Sequence, residues 1–187
     1  DVGETTQTTI TGLNLQLATI YQTQVRGYGG TAGDKVFSAT TSSDGVQVVD
    51  AAAPTITRIA VNPPILVADN SGATIELEAI DDTRLAVATC TIVVDAGLPA
   101  PGPVVAVMTR KLTVTKTKLE LPWNGLYDIS KKIAEPGPYR VICKVTDVGQ
   151  NTTSAEAPLL ICQPGEIVKA GACQTPSVNG GDAGSDG

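Results

Sequence analysis

The sequence predicts an all-β fold, an antiparallel sandwich of short strands. Hydrophobic residues make up 42% of the 187 residues, yet the chain has one Trp, one Phe and four Tyr, so its core must be mostly aliphatic. Branched aliphatic residues and Thr favour strands because their side chains pack well on a pleated surface. Nineteen Gly and twelve Pro divide the apolar runs with turn signals.

Residues 1–53 predict a partial β segment followed by a linker. Strands are expected over Thr5 to Leu13, over Ile20 to Tyr28 and over Val36 to Ser42. The glycine-rich stretch Gly29 to Asp34 lies between two strands rather than before a helix, so it predicts a hairpin turn and not a phosphate cradle.

This segment resembles part of a fibronectin type III module. The resemblance rests on Ile10-Thr11-Gly12-Leu13, on Tyr21 leading to Val25-Arg26, and on the glycine-rich turn with the strand after it. It implies the last three strands of a seven-stranded sandwich, with four partner strands missing. Three strands shared between two sheets leave edges and an apolar face uncovered. We therefore expect either a fragment of a longer protein or a module that a neighbouring chain completes.

Residues 54–162 predict a complete immunoglobulin-like β-sandwich. Seven short apolar runs are separated by turn signals, which is typical of an antiparallel sandwich rather than of alternating strands and helices. The predicted strands lie near residues 55–61, 73–80, 86–94, 104–108, 112–121, 138–146 and 153–161.

The second half of this region resembles bacterial immunoglobulin-like repeats, including those of flagellar-hook-capping proteins. The resemblance rests on residues 121–125 (Leu-Pro-Trp-Asn-Gly), 136–141 (Pro-Gly-Pro-Tyr-Arg-Val) and 145–151 (Val-Thr-Asp-Val-Gly-Gln-Asn). Such modules occur in tandem on secreted and surface proteins. The resemblance therefore implies an architecture and not a chemistry.

Four Cys without a CxxC pair favour disulfides in an oxidising compartment over zinc or redox chemistry. Alternation places Cys90 and Cys143 on the inward faces of their strands, and in an immunoglobulin-like sandwich these strands are neighbours. Their bridge would stabilise the fold by about 4 kcal/mol, and one between Cys162 and Cys173 by about 3 kcal/mol. The alternative is two buried free thiols. Residues 163–187 then form a disulfide loop and a flexible tail rich in Gly and Asp.

Composition excludes several functions. A net charge of −6 without a basic cluster argues against nucleic acid, whose phosphates attract Lys and Arg. The absence of His removes the commonest general base and the commonest transition-metal ligand. No apolar run reaches the roughly 18 to 20 residues of a membrane span, and the N-terminus lacks signal-peptide features. The sequence thus predicts a mature or excised chain that is not an enzyme.

Three weaker site signals remain. Asp81 and Asp82 precede the Cys90 strand, whereas Asp147 and Asn151 follow the Cys143 strand, and the fold brings both loops to one end. Their oxygens fit Ca²⁺, although a loop Asp more often caps its own turn.

Two further signals concern sugars. Trp123 is a candidate carbohydrate contact, with core packing as its alternative, and Asn151 begins a glycosylation sequon.

These observations favour a non-enzymatic, secreted or cell-surface structural or adhesive protein. Its expected partners are copies of itself or neighbouring surface proteins, and strand addition would join them into a filament or other assembly. The alternative is a carbohydrate-binding accessory module of a secreted enzyme.

Overall fold

The structure, a computed structural model, describes residues 9–17, 19–31, 33–68, 71–97 and 100–176. The chain divides into two compact units, Asp1–Ala51 and Ala52–Gly187. The described residues contain strands and turns and no helix. Within them, no helix has the length and apolarity needed to cross a membrane.

The first unit contains one long β-hairpin that is interrupted at regular intervals. Its strands are β1 (Ile20–Tyr21), β2 (Gln24–Val25), β3 (Tyr28–Gly29), β4 (Val36–Phe37), β5 (Thr41–Ser42) and β6 (Val46–Gln47). Antiparallel pairing joins β3 to β4, β2 to β5 and β1 to β6. Between successive pairs the second side has one residue more than the first, so each interruption is a bulge.

The hairpin confirms the predicted pairing of the second and third strands and the turn between them, where Asp34 N donates to Thr31 O over 3.0 Å. The strand predicted over residues 5–13 is wrong where the structure describes it, because residues 9–13 form no strand. Residues 5–8 lie outside the described residues. An extended segment forms a strand only when a neighbour accepts its backbone hydrogen bonds, and residues 9–13 have no ladder partner among the described residues.

The second unit is an immunoglobulin-like β-sandwich followed by a small hairpin. Its strands are β7 (Thr55–Asn62), β8 (Ile65–Val67), β9 (Ala73–Ile80), β10 (Leu85–Val94), β11 (Val104–Lys111), β12 (Lys116–Trp123), β13 (Gly137–Asp147), β14 (Thr152–Cys162), β15 (Ile167–Lys169) and β16 (Ala172–Gln174). One sheet has the order β11-β10-β13-β14-β8 and the other the order β12-β9-β7.

Seven of these strands overlap the predicted ones, although β12 begins four residues later than predicted, and the all-β fold class is confirmed. The prediction missed β8, which pairs in parallel with β14, and the terminal hairpin of β15 and β16. Each of the three has only three residues, too few for an alternating pattern to stand out in sequence.

Alternation along the long strands builds the core between the two sheets. In β9, Ala73, Ile75, Leu77 and Ala79 are buried while the residues between them are not. Fully buried side chains from the facing sheet complete the same cluster: Leu85, Ala88, Cys90, Ile92, Val141, Cys143 and Val145. The core is aliphatic, as the composition predicted.

The pairing of β10 with β13 holds a disulfide at its centre. Cys90 lies directly opposite Cys143 in the ladder, and their Cα atoms are 4.0 Å apart. Cys162 forms a second disulfide with Cys173, which ties the terminal hairpin to the end of β14. Both predicted disulfides are confirmed, and no described Cys is free.

Tyr139 fixes the start of β13. Its ring is buried, and its hydroxyl donates a 2.6 Å hydrogen bond to the carbonyl of Glu135 four residues upstream. Burial raises the pKa of the Tyr139 phenol above its ordinary value, and a hydrogen bond with Tyr127 adds to the increase. The neutral phenol is therefore the form that the fold stabilises.

We expect the double variant Cys90→Ala/Cys143→Ala to lose about 4 kcal/mol of unfolding free energy, because the bridge closes a long loop in the unfolded chain. The matched variant Cys162→Ala/Cys173→Ala removes a bridge that closes a shorter loop, so it should lose about 3 kcal/mol at most. Urea unfolding followed by Trp123 fluorescence measures both. A larger loss from the second variant would contradict this ranking.

Tyr139 should make the sandwich sensitive to alkali. Its folded pKa lies above the unfolded value of about 10, so its contribution is complete below that pH and is lost as the pH rises beyond it. We expect the unfolding free energy to fall more steeply above pH 10 in the wild type than in Tyr139→Phe. Equal slopes for the wild type and Tyr139→Phe would contradict this role of Tyr139.

Candidate calcium site

Two loops meet at one end of the sandwich. The first follows β9 and spans residues 81–84, and the second is the turn 147–151 between β13 and β14. Val148 N donates to Arg84 O over 3.0 Å, which joins the two loops directly. The register of β10 and β13 also pairs Leu85 with Asp147. The predicted convergence of the two loops is therefore present.

Asp147 is the fully buried acid of this end, with 0% of its surface exposed. Its Oδ1 accepts from Asn151 N over 2.9 Å, and its Oδ2 accepts from Asn151 Nδ2 over 3.0 Å. These two hydrogen bonds close the turn between β13 and β14. Turn capping, the alternative that the sequence offered, is thus one role of Asp147.

Only one oxygen of the Asp81 carboxylate has hydrogen-bond donors among the described residues. Its Oδ2 accepts from the Thr83 amide over 3.1 Å and from the Thr83 hydroxyl over 2.7 Å. Its Oδ1 is buried and has no hydrogen-bond partner among the described residues. Burying a carboxylate oxygen without a partner lowers the stability of the folded state. We therefore expect a hydrogen-bond donor or a cation beside this atom.

The two carboxylates lie close together, and no Lys or Arg among the described residues pairs with either of them. An oxygen of Asp81 and an oxygen of Asp147 are within 4.8 Å of each other. The ion pairs of the described chain join Arg58 to Glu76, Lys118 to Glu78, and Arg140 to both Asp95 and Glu156, so none reaches these two acids. Two like charges at this distance repel unless a cation lies between them.

Carboxylate and amide oxygens are the ligands that Ca²⁺ takes. Asp81 and Asp147 supply carboxylates, and the side-chain carbonyl of Asn151 lies in the same loop. Asp82 is exposed and outside this group, so the structure separates it from the other three predicted ligands. Water would supply further ligands of a bound ion.

A second group of potential ligands, Cys162, Glu166 and Cys173, lies at the terminal hairpin. Its two sulfur atoms are bonded to each other, so they are not free thiolates. Glu166 Oε2 accepts from Gln163 N over 2.7 Å and closes the turn before β15. This group is therefore structural.

Trp123 does not form the exposed platform that a sugar contact requires. Only 4% of its surface is exposed, and its Nε1 donates to Leu126 O over 2.9 Å. The ligand-binding role considered for Trp123 is corrected to core packing. The residue sits at the end of β12, where its neighbours on the inward face, such as Leu121, are also buried.

Asn151 uses the atom to which a glycan would be attached. Its Nδ2 donates to Ala52 O and to Asp147 Oδ2, each over 3.0 Å. A glycan on Nδ2 would remove at least one of these bonds in the folded protein. The geometry thus favours a positioning role for Asn151 over glycosylation.

Sequence reasoning missed Asp128. This residue lies in the loop 124–134, where its Oδ2 accepts from Val107 N over 2.7 Å and its own amide donates to Val105 O over 2.9 Å. It covers part of the free edge of β11. No local signal marks it, because a single Asp in a loop is common and its partner strand lies far away in sequence.

No family model matches the chain, and no curated protein matches it. Among solved structures, a CARDB domain from Pyrococcus furiosus, in complex with di-metal ions, is 15% identical with a TM-score of 0.36, and the match covers 58% of this chain and 89% of that one. A β-glucosidase from Listeria innocua in complex with isofagomine is 15% identical with a TM-score of 0.35. That match covers 63% of this chain and 17% of the glucosidase chain.

Proposed function

We propose that this chain is a non-enzymatic structural or adhesive protein of an extracellular surface, and that Ca²⁺ stiffens one end of its sandwich. The observation that carries the calcium proposal is the buried Oδ1 of Asp81, which has no partner among the described residues, beside the fully buried carboxylate of Asp147. The two disulfides support an oxidising compartment, since such bonds persist there.

Calcium at this position would join two loops that otherwise share few bonds. Asp81 follows β9 of the three-stranded sheet, and Asp147 ends β13 of the five-stranded sheet. An ion bound to both carboxylates would therefore link the two sheets and cancel the repulsion between the acids. A stiffer sandwich suits a spacer or adhesive unit that transmits force.

We expect Ca²⁺ to raise the melting temperature of the wild-type chain, and chelation to lower it again. Ligand binding to the folded state contributes about 2.7 kcal/mol when the ion is present at 100 times its Kd. The variant Asp81→Asn keeps an oxygen for the Thr83 bonds but removes the charge. It should melt at or above the wild-type temperature without calcium and gain little when calcium is added.

The matched control is Asp82→Asn, which removes a neighbouring charge from an exposed residue. This variant should respond to calcium as the wild type does. Equal responses from all three proteins would contradict the site, and so would an equal response of the wild type to Mg²⁺, which demands a stricter octahedral geometry.

We further propose that the chain assembles with other subunits through its first unit. The resemblances to fibronectin type III modules and to the immunoglobulin-like repeats of flagellar-hook-capping proteins support a modular surface protein. Among the described residues the hairpin of the first unit is two-stranded, so strand addition by another subunit would extend its sheet and give a filament. The partners would be copies of the chain or neighbouring surface proteins.

Negative-stain electron microscopy with sedimentation analysis tests this assembly role. Fibres or defined oligomers are expected at high protein concentration. Monomers alone, with residues 9–51 sensitive to protease, would contradict it. The alternative function, a carbohydrate-binding accessory module, has lost its main support because the ring of Trp123 is buried.

A further inference from the structure

The two sheets of the sandwich have four edge strands among the described residues, and three of these edges are protected. At β11, Asp128 binds the backbone of Val105 and Val107. At the opposite edge of the same sheet, β8 has only three residues. In the three-stranded sheet, the register of β7 shifts between Ile56 and Arg58, so a bulge interrupts this edge. Blocking residues, short strands and bulges of this kind hinder pairing with further strands.

The fourth edge strand, β12, has none of these three protections in the described part of the chain. It keeps one uninterrupted register with β9 over its eight residues, and β9 is its only neighbour in the described sheet. Just before the strand, Asp81 N donates to Thr115 O over 2.8 Å in the same register. Bonded pairs alternate along an antiparallel ladder, so this bond fixes the direction of the backbone groups of β12.

Every second residue of β12 directs its backbone away from β9. The alternation assigns the backbone of residues 117, 119, 121 and 123 to β9, and that of residues 116, 118, 120 and 122 points outward. The outward N–H groups belong to Lys116, Lys118 and Glu120, and no described residue accepts a hydrogen bond from them. Pro122 occupies the next outward position, where its missing N–H breaks no bond with β9. This edge of β12 is therefore open to another strand.

The exposed face of β12 carries a charge pattern that complements itself. Lys118 and Glu120 lie on this face, and Leu119 lies between them on the inward face. When a second copy of β12 pairs antiparallel about Leu119, Lys118 lies opposite Glu120 of the second copy, and the outward N–H of each meets an opposing carbonyl. An axis at Lys118 or at Glu120 would instead place like charges directly opposite each other, which is destabilising.

Glu120 has no ion-pair partner within the described chain. The residue directly opposite it in β9 is Glu76, whose own ion pair joins Arg58 over 2.9 Å. A second copy would place its Lys118 opposite Glu120 and its Lys116 on the diagonal. Pairing two chains would therefore give Glu120 the cation that it lacks in one chain.

The remaining charge contacts do not reverse this preference. The two Lys118 side chains, and likewise the two Glu120 side chains, lie diagonally across the axis at about 7 to 8 Å, whereas the opposite charges face each other at about 4.5 to 5.5 Å. Each Lys118 side chain is 65% exposed and also contacts Glu78 of its own chain over 3.7 Å. Attraction between nearest neighbours therefore exceeds the diagonal repulsion.

We propose that β12 is a dimer interface, at which the β12 strand of a second copy pairs antiparallel about Leu119. The pairing joins the two three-stranded sheets into one continuous sheet. A two-fold interface needs a surface that complements itself, and the pattern of Lys118 and Glu120 meets this condition. The proposal goes beyond assembly through the first unit, because it uses a strand of the second unit.

The length of β12 limits the strength of this dimer. Its eight residues span about 27 Å. Edge pairing over this length buries about 1,200 Å² or less in total, at the lower end of specific interfaces. The net charge of −6 on each copy also opposes association. We therefore expect a weak dimer whose population depends on protein concentration.

Sedimentation velocity of the full chain, from about 1 to 500 µM, tests the proposal. The wild type should shift from monomer to dimer. Lys118→Glu and Glu120→Lys should each weaken the dimer about tenfold, because the two-fold axis places the resulting like-charge pair twice. The double variant Lys118→Glu/Glu120→Lys keeps the wild-type composition and net charge, and it should restore the dimer.

The two single variants also control for general repulsion. Lys118→Glu makes the chain more acidic and Glu120→Lys makes it less acidic, so repulsion between whole chains would change dimerisation in opposite directions.

Amide hydrogen exchange reports the register directly. The N–H groups of Lys118 and Glu120 should gain protection as the concentration rises, whereas the N–H of Leu119 bonds to β9 and should be protected throughout. A single variant that loses protection at Leu119 has a disturbed strand. The alanine variant of the same residue then replaces it, and this variant should weaken the dimer several-fold.

A wild type that stays monomeric over the whole range would overturn the proposal. Dimers that neither single variant weakens, a double variant that does not recover, or unchanged exchange at Lys118 and Glu120 would overturn it as well. Assembly through the first unit has a separate outcome, because fibres built by strand addition there should persist in both single variants.

Discussion

The second unit depends on the pairing of β10 with β13. This ladder forms the centre of the five-stranded sheet, contributes the inward residues that meet the facing sheet, and carries the Cys90–Cys143 bridge at its middle. The bridge fixes the register at one pair, and alternation then sets every other residue of both strands. A slip by one residue would send Ile92 and Val141 to solvent. The core therefore follows from one correctly placed contact.

The same register creates the candidate calcium site. Because β10 and β13 are locked together, Leu85 must lie beside Asp147, and the loop that carries Asp81 must reach the turn that carries Asn151. The fold thus places the half-buried Asp81 beside the fully buried Asp147, and the buried Oδ1 of Asp81 has no partner among the described residues. Such an arrangement costs stability unless a ligand compensates for it, and proteins tolerate this cost mainly where it serves a function.

The two units differ in how they place their apolar residues. The sandwich buries its apolar residues between two sheets and covers part of its free edge with Asp128, so it is complete by itself. The hairpin leaves Val25, Val36 and Val46 exposed, and none of the described residues of the first unit is buried. Function on this chain is accordingly expected from surfaces and assembly, with the sandwich as a rigid, disulfide-bonded support.

The sequence by itself determined the all-β class, seven strands of the sandwich and both disulfides. Each of these depends on the alternation of apolar residues, on turn residues or on inward-facing Cys, and such features can be recognised in the sequence. Tertiary structure decided which polar residues converge: it brought Asp81 close to Asp147, which Asn151 contacts, and it left Asp82 exposed. It also buried Trp123, placed Asp128 against β11 and left residues 9–13 without a strand. These outcomes depend on partners distant in sequence, because burial and hydrogen bonding belong to the packed chain and not to any single segment.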